Sequence, residues 1–216
     1  SNLRGVVHAA GILDDGMLMH QSPKRFLKVA GPKVSGAWNL HIQTKDLPLD
    51  FFVLFSSVAS IIGSPGQSNY AAANAFMDGL AHHRKHQGLV ATSINWGPWS
   101  DVGMAASDVV LQRLMKDGWQ PMNASQGCDF IGHLLKVCKL PQAAVLPVDW
   151  GQFAASIPGA VNWNILSHLV SKEQSNLLLG NPEELAAQRV KEALSQKRVD
   201  HISSYLLERI AQTLRV

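Results

Sequence analysis

The sequence predicts an α/β fold, a doubly wound parallel sheet with helices between its strands. Four short runs, Gly5–Ala10, Phe51–Phe55, Val90–Asn95 and Ala144–Val148, read as continuously apolar rather than alternating, as strands buried on both faces do. The segments between them carry helical period. Alternation of the two kinds of segment implies right-handed βαβ crossovers.

The elements follow in order. Ser22 is placed to cap a helix that starts at Pro23, because a serine oxygen satisfies free N–H groups and proline is tolerated in the first turn. Val34 to Gln43 continues a helical pattern through Trp38 and Leu40. Gln67 to His86 is the strongest helix, alanine-rich, with Phe76, Leu80 and Ala81 on one side and Gly88 as a stop. Ser125 to Val137 is amphipathic. After about Trp150 the character changes: Gln152 to Gly159 reads as loop and Asn162 to Leu179 is ambiguous. Asn181-Pro182-Glu183-Glu184 has the form of a helix start, and Ile202 to Leu214 has apolar residues at helical spacing.

Composition narrows the function classes. The chain has 216 residues, 46% hydrophobic and 16% charged, with a formal net charge of +3. That is enough apolar mass for a core, and it excludes disorder. The mild positive charge is scattered, without the basic stripe that nucleic-acid binding uses. The longest apolar run, Phe51 to Phe55, is far short of the ~18 residues a membrane span needs. No nucleic-acid partner and no membrane partner are expected. Cys128 and Cys138 make neither a disulfide scaffold nor a zinc set, and two reduced thiols point to a cytoplasmic protein. No metal site is expected. In His82-His83-Arg84-Lys85-His86 the cations are read as complements to a helix C-terminus.

The informative stretch is Phe55-Ser56-Ser57, a Gly/Pro/Ser loop, and Tyr70-Ala71-Ala72-Ala73-Asn74. Ser57 ends a strand, and in open α/β sheets ligands bind outside the carboxyl ends of strands. Tyr70 and Asn74 lie four apart on one helix face, and the alanines between them permit close approach. Taken singly, Tyr70 reads more readily as a helix aromatic and Ser57 as a cap.

With their spacings these residues resemble the ketoreductase domain of modular type I polyketide synthases, in its C-terminal, catalytic half, a branch of the short-chain dehydrogenase/reductase superfamily. The resemblance rests on His8-Ala9-Ala10-Gly11, Leu13-Asp14-Asp15, Pro32-Lys33-Val34-Ser35-Gly36-Ala37, Phe55-Ser56-Ser57, Gly66-Gln67-Ser68-Asn69-Tyr70-Ala71-Ala72-Ala73-Asn74 and Asn95-Trp96-Gly97-Pro98-Trp99. It implies a partial Rossmann-like sheet made of the later strands of the reductase fold, followed by a helical tail. Most of the superfamily carries Lys four residues after the Tyr. Here that position is Asn74, and Lys33 stands on the preceding helix, the exchange known in synthase reductases.

The resemblance implies that Tyr70 is the general acid, that Ser57 bonds the carbonyl oxygen, that Lys33 bonds the nicotinamide ribose, and that Asn74 supports the site through backbone or water contacts. A nearby Lys33 ammonium is expected to lower the Tyr70 pKa. Ala9, Ala10, Gly11, Gly97 and Pro98 are expected beside NADPH. Leu13-Asp14-Asp15, with Gln67 three before the tyrosine, resembles the signature of B-type reductases, which leave the D-configured β-hydroxyl.

The expected reaction is NADPH-dependent reduction of a β-ketoacyl thioester borne on an acyl carrier domain's phosphopantetheine, within a multifunctional transferase. Other synthase domains are expected partners. No G-x-G-x-x-G loop occurs, so the chain is expected to be a reductase fragment, inactive alone and prone to self-association through an exposed sheet edge. Its expected division is 1–160 as the reductase half, 161–199 as linker and helices, and 200–216 as the start of a carrier domain. The alternative is a non-catalytic structural or interaction module. It is disfavoured because Lys33, Ser57, Tyr70 and Asn74 are all kept. A free-standing reductase of small alcohols is disfavoured by Asn74 and the carrier-like tail.

Overall fold

The structure is a computed structural model that describes residues 2–102, 108–137, 140–157, 159–160 and 163–170. The expected linker helices from 171 onward and the expected carrier-domain start at 200–216 lie outside the described residues, as does Cys138. Two compact units are present, Ser1–Asp149 and Trp150–Val216.

In the first unit four strands, β1 (Gly5–His8), β2 (Phe51–Ser57), β3 (Thr92–Trp96) and β4 (Gln142–Val145), form one sheet in the order β1-β2-β3-β4. Every neighbouring pair is parallel, and the register sets Val7 beside Val53, Ser57 beside Trp96 and Trp96 beside Val145. Parallel pairing demands long crossovers, and these hold α1 (Pro23–Ala30), α2 (Gly36–Thr44), α3 (Ala59–Ile62), α4 (Ser68–His86), α5 (Asp108–Lys116) and α6 (Ala124–Val137).

Successive residues of β2 face opposite layers. Phe52 and Leu54 pack with Ala37, Met77, Leu80 and Ala81 of α2 and α4. Val53 and Phe55 pack with Ile94, Trp96, Ile131 and Leu134, on the α6 side. Both faces of β2 are therefore covered, which is why its sequence reads as unbroken apolar.

The third strand departs from the sequence reading. β3 alternates: Ile94 and Trp96 join the α6-side core, whereas Ser93 and Asn95, both fully buried, turn toward α4 and bond to Asp78. A buried polar face is tolerated because each group there finds a partner.

Ser22 caps α1, accepting from the Arg25 N–H at 3.4 Å. Between α1 and α2 the chain forms a π-helical turn, Gly31–Ser35. Pro32 has no N–H to donate to Lys28, so the regular ladder is interrupted there. Gly88, at φ 75°, ends α4 as expected. Arg84 in its last turn is not a solvated cation: it is 1% exposed, bonds the Val90 carbonyl and His41 Nδ1, and lies 3.9 Å from the Phe52 ring centroid.

The second unit holds α7 (Trp150–Ser156), where the sequence had suggested a loop, and a 3-10 turn at Asn164–Leu166. Trp150 and Phe153 meet edge to face at 5.8 Å. A seven-residue helix of about two turns, with aromatics three apart, gives too short a period to read from sequence. Among the described residues no helix is long and apolar enough to cross a membrane, and no group of three or more metal-ligating side chains occurs.

Candidate active site

The carboxyl ends of β1, β2 and β3 lie side by side, so the segments that leave them gather at one end of the sheet. Ser57 is the last residue of β2. Its Oγ accepts the Ala59 N–H at 3.2 Å, the bond that turns the chain into α3. Tyr70, 8% exposed, lies in the first turn of α4 in a small core with Val29, Ala59 and Ala73, and Leu13 packs on that core. Asn74, fully buried one turn later, donates from Nδ2 to the Tyr70 carbonyl at 2.8 Å. Its Oδ1 is buried without a partner.

Lys33 arrives from the π-helical turn. A π segment rotates the side chains that follow it relative to a regular helix, and Lys33 is turned inward, 3% exposed. Its Nζ donates to the Phe55 carbonyl at 3.0 Å and stands 5.2 Å from the Tyr70 ring centroid. Ammonium and phenol thus meet although 37 positions separate them in sequence. A Cβ at Gly11 would meet Lys33 Cε at 2.9 Å, so glycine at that position leaves the amine its room.

Electrostatics revises one expectation. Burial pushes the Lys33 pKa down to about 8, with the Asp78 charge opposing the fall. Tyr70 moves up, not down. Burial is the main cause, hydrogen bonds from Asn74 and Ser57 oppose it, and the Asp15 charge adds to it. The desolvation of the phenolate outweighs any help from an amine that lies over the ring face and is itself reluctant to hold its charge. His8, at the end of β1 and 6% exposed, is lowered by burial and by the Lys33 charge.

The other expected residues surround this group. Ala9 and Ala10 are exposed just beyond β1. Gly97 follows the β3 residue paired with Ser57, and its N–H donates to the Val145 carbonyl at 3.0 Å. The Pro98 carbonyl accepts the Met122 N–H at 3.0 Å. Asp14 is held by Arg25 at 2.6 Å and Lys28 at 3.1 Å, and both bonds depress its pKa. Asn69 Nδ2 donates to the Asp14 carbonyl at 2.8 Å. Gln67 Nε2 donates to Asp15 Oδ2 at 2.9 Å, and the Gly16 N–H to the Gly66 carbonyl at 2.8 Å. The Leu13–Asp15 loop is thereby fastened to the loop that precedes Tyr70.

Sequence reasoning missed Asp78, Ser60 and Arg25, and quoted Asn95 within a motif without giving it a role of its own. The signal for Asp78 was its position eight residues after Tyr70, on the Tyr70–Asn74 stripe. For Asn95 it was an amide inside a strand.

Comparison with known proteins matches this geometry. A family model for the KR domain matches residues 1–101. The chain is 42% identical over 183 residues, 85% of its length, to the polyketide synthase GfsA of Streptomyces halstedii, and covers 2% of that protein. It is 48% identical over 138 residues, 62% of its length, to the phenolphthiocerol synthesis polyketide synthase type I Pks15/1 of Mycobacterium marinum, and covers 7% of it. Among solved structures, A-type ketoreductases from a modular polyketide synthase align at TM-score 0.68 and 39% identity, over 71% of this chain and 32% of theirs. The first ketoreductase of the tylosin synthase aligns at TM-score 0.64 and 42% identity, over 71% and 34%. This chain therefore spans about a third of the length of the solved reductases and a small part of the synthases. By fold, motif and sequence it belongs to the ketoreductase-domain family of type I polyketide synthases, within the short-chain dehydrogenase/reductase superfamily.

Proposed function

We propose that these residues carry the proton-transfer half of an NADPH-dependent reduction of a β-ketoacyl thioester presented by an acyl carrier domain. The observation that supports it best is Lys33 Nζ at 5.2 Å from the Tyr70 ring centroid, with Asn74 donating to the Tyr70 carbonyl one turn along α4. The residues fit the cofactor. The unpartnered Asn74 Oδ1 and a Lys33 ammonium with one described acceptor leave the bonding capacity a ribose hydroxyl and its ordered surroundings require. Ala9, Ala10 and Gly11 leave room for backbone to approach it, and Gly97 and Pro98 line the neighbouring strand end.

Bound NADPH would supply the hydride to the carbonyl carbon. Ser57 donates a hydrogen bond to the carbonyl oxygen as negative charge develops there. Tyr70, kept protonated by burial, gives that oxygen its proton and so forms the hydroxyl. Lys33 holds the ribose and stabilises the phenolate left behind. Leu13, Asp14, Asp15 and Gln67 set the face of the ketone, as in B-type reductases.

The test uses the synthase polypeptide that carries these residues. Tyr70→Phe is expected to lower turnover by about 10²- to 10⁴-fold while the NADPH Kd stays within about twofold, because the hydroxyl acts on substrate. Retained turnover dismisses the acid assignment. The chain by itself is expected to bind NADPH weakly in a fluorescence titration, and clearly once a glycine-rich βαβ half is joined to it.

A further inference from the structure

Asp78 is 8% exposed, and its described partners are all neutral. Ser93 Oγ donates to Oδ1 at 2.6 Å; Ser60 Oγ and Asn95 Nδ2 reach Oδ2 at 2.6 and 3.0 Å. Burying a carboxylate is costly without such donors, and fold alone does not require one between α4 and β3, where an apolar pair would pack.

The same donors lead to the site. Ser60 Oγ lies 2.8 Å from the Ser57 carbonyl, and Asn95 Nδ2 lies 3.3 Å from it. Asn95 Nδ2 also donates to Ser56 Oγ at 3.2 Å, and Ser56 Oγ in turn donates to the Asn74 carbonyl at 3.3 Å. The main chain of Ser57 and that of Asn74 are thus tied, through two and three hydrogen bonds respectively, to a single buried carboxylate.

We propose that Asp78 is a positioning residue which, through Ser60 and Asn95, fixes the Ser57 turn and the Asn74 backbone around Tyr70. Its charge has a second effect: Lys33 Nζ bonds the carbonyl of Phe55, the residue before the Ser56 that this network holds, and from there the carboxylate helps the amine to retain its proton. The other titratable groups facing that amine are His8 from β1 and Tyr70 from α4. The role in turnover rests on the reductase reading above; the effect on Lys33 does not.

Two variants separate the effects. Asp78→Asn keeps the volume and removes the charge. Ser60→Ala keeps the charge and cuts the shorter of the two links to Ser57. In the full chain labelled with ¹³Cε-lysine, with the Lys33 resonance assigned through Lys33→Met, Asp78→Asn is expected to move the Lys33 titration midpoint to lower pH, and Ser60→Ala to leave it in place. In the synthase polypeptide both are expected to lower kcat by about 10- to 100-fold at near-constant KM. An unmoved midpoint in Asp78→Asn overturns the charge effect, and wild-type kcat in Ser60→Ala overturns the positioning role. If Asp78→Asn does not fold, Ser60→Ala still decides the latter by its kcat and KM. Should Tyr70→Phe retain turnover, the reductase reading falls while the Lys33 titration still reports on Asp78.

Discussion

Lys33 and Tyr70 enter the site with ionisations moved in opposite directions by one cause, the removal of water, and this has a measurable consequence for stability. The folded pKa of Lys33 is about 8, against an ordinary value of 10.5. Between those values the unfolded chain holds a proton that the folded chain has released, so stability rises with pH there. The cost of the buried ammonium is complete below about pH 8 and relieved above it. Tyr70, raised above 10.0, contributes in the other direction, and its contribution is lost only as the pH climbs past 10 toward the folded value. Urea unfolding between pH 7.5 and 9.5 is therefore expected to show wild-type stability rising by about 2 kcal/mol from Lys33, with the rise missing in Lys33→Met. Parallel profiles for the two proteins would contradict the burial of a titrating amine. Lys33, Ser57, Tyr70 and Asn74 were legible in sequence because each belongs to a motif with fixed spacing. The direction of the Tyr70 shift was not, because desolvation depends on what packs over a side chain. Asp78 escaped notice for a similar reason: a polar residue on a helix reads as solvent-facing until a strand with its own polar face is laid against it.

Elements with two covered faces or long period were the readable ones. β2 and α4 sit within two residues of where apolar runs, alanine content and Gly88 place them. The four-residue α3 and the helices α5 and α7 were not foreseen, since one to three turns rely on their neighbours for stability. The π-helical turn was also invisible, although Pro32 is its physical origin. How α6 meets the strand ends depends on one residue: a Cβ at Gly127 would clash with the ring of Trp99, which itself meets Trp96 edge to face at 5.0 Å. Glycine there is a matter of space, not of backbone freedom. Gly127→Ala is expected to cost about 1–3 kcal/mol, read as a lower Tm, and to displace the loop of Gly97 and Pro98. An unchanged Tm would show that Trp99 has room to move away.

At the scale of the whole chain, the described sheet ends abruptly on one side. Among the described residues β1 pairs with β2 alone, so its outer edge presents N–H and C=O groups without a described strand partner, and Val7 on it is 51% exposed. Such an edge is a template for another strand. The strand is four residues long and carries no Lys, Arg, Asp or Glu, and the net charge of +3 on 216 residues offers little repulsion between copies. Nothing in β1 resembles the lysines, prolines or bulges by which exposed edges are usually protected. The chain by itself is therefore expected to self-associate through β1. Light scattering should show the weight-average mass growing with concentration, and Val7→Lys, which sets a charge against its copy across the new pair, should suppress the growth. Adding a βαβ half that supplies its own strand should compete for the same edge and restore the single-copy species while NADPH fluorescence appears. A mass that stays at one chain at every concentration would mean that this edge is already satisfied, and binding of NADPH would then have to be explained without strand addition at β1.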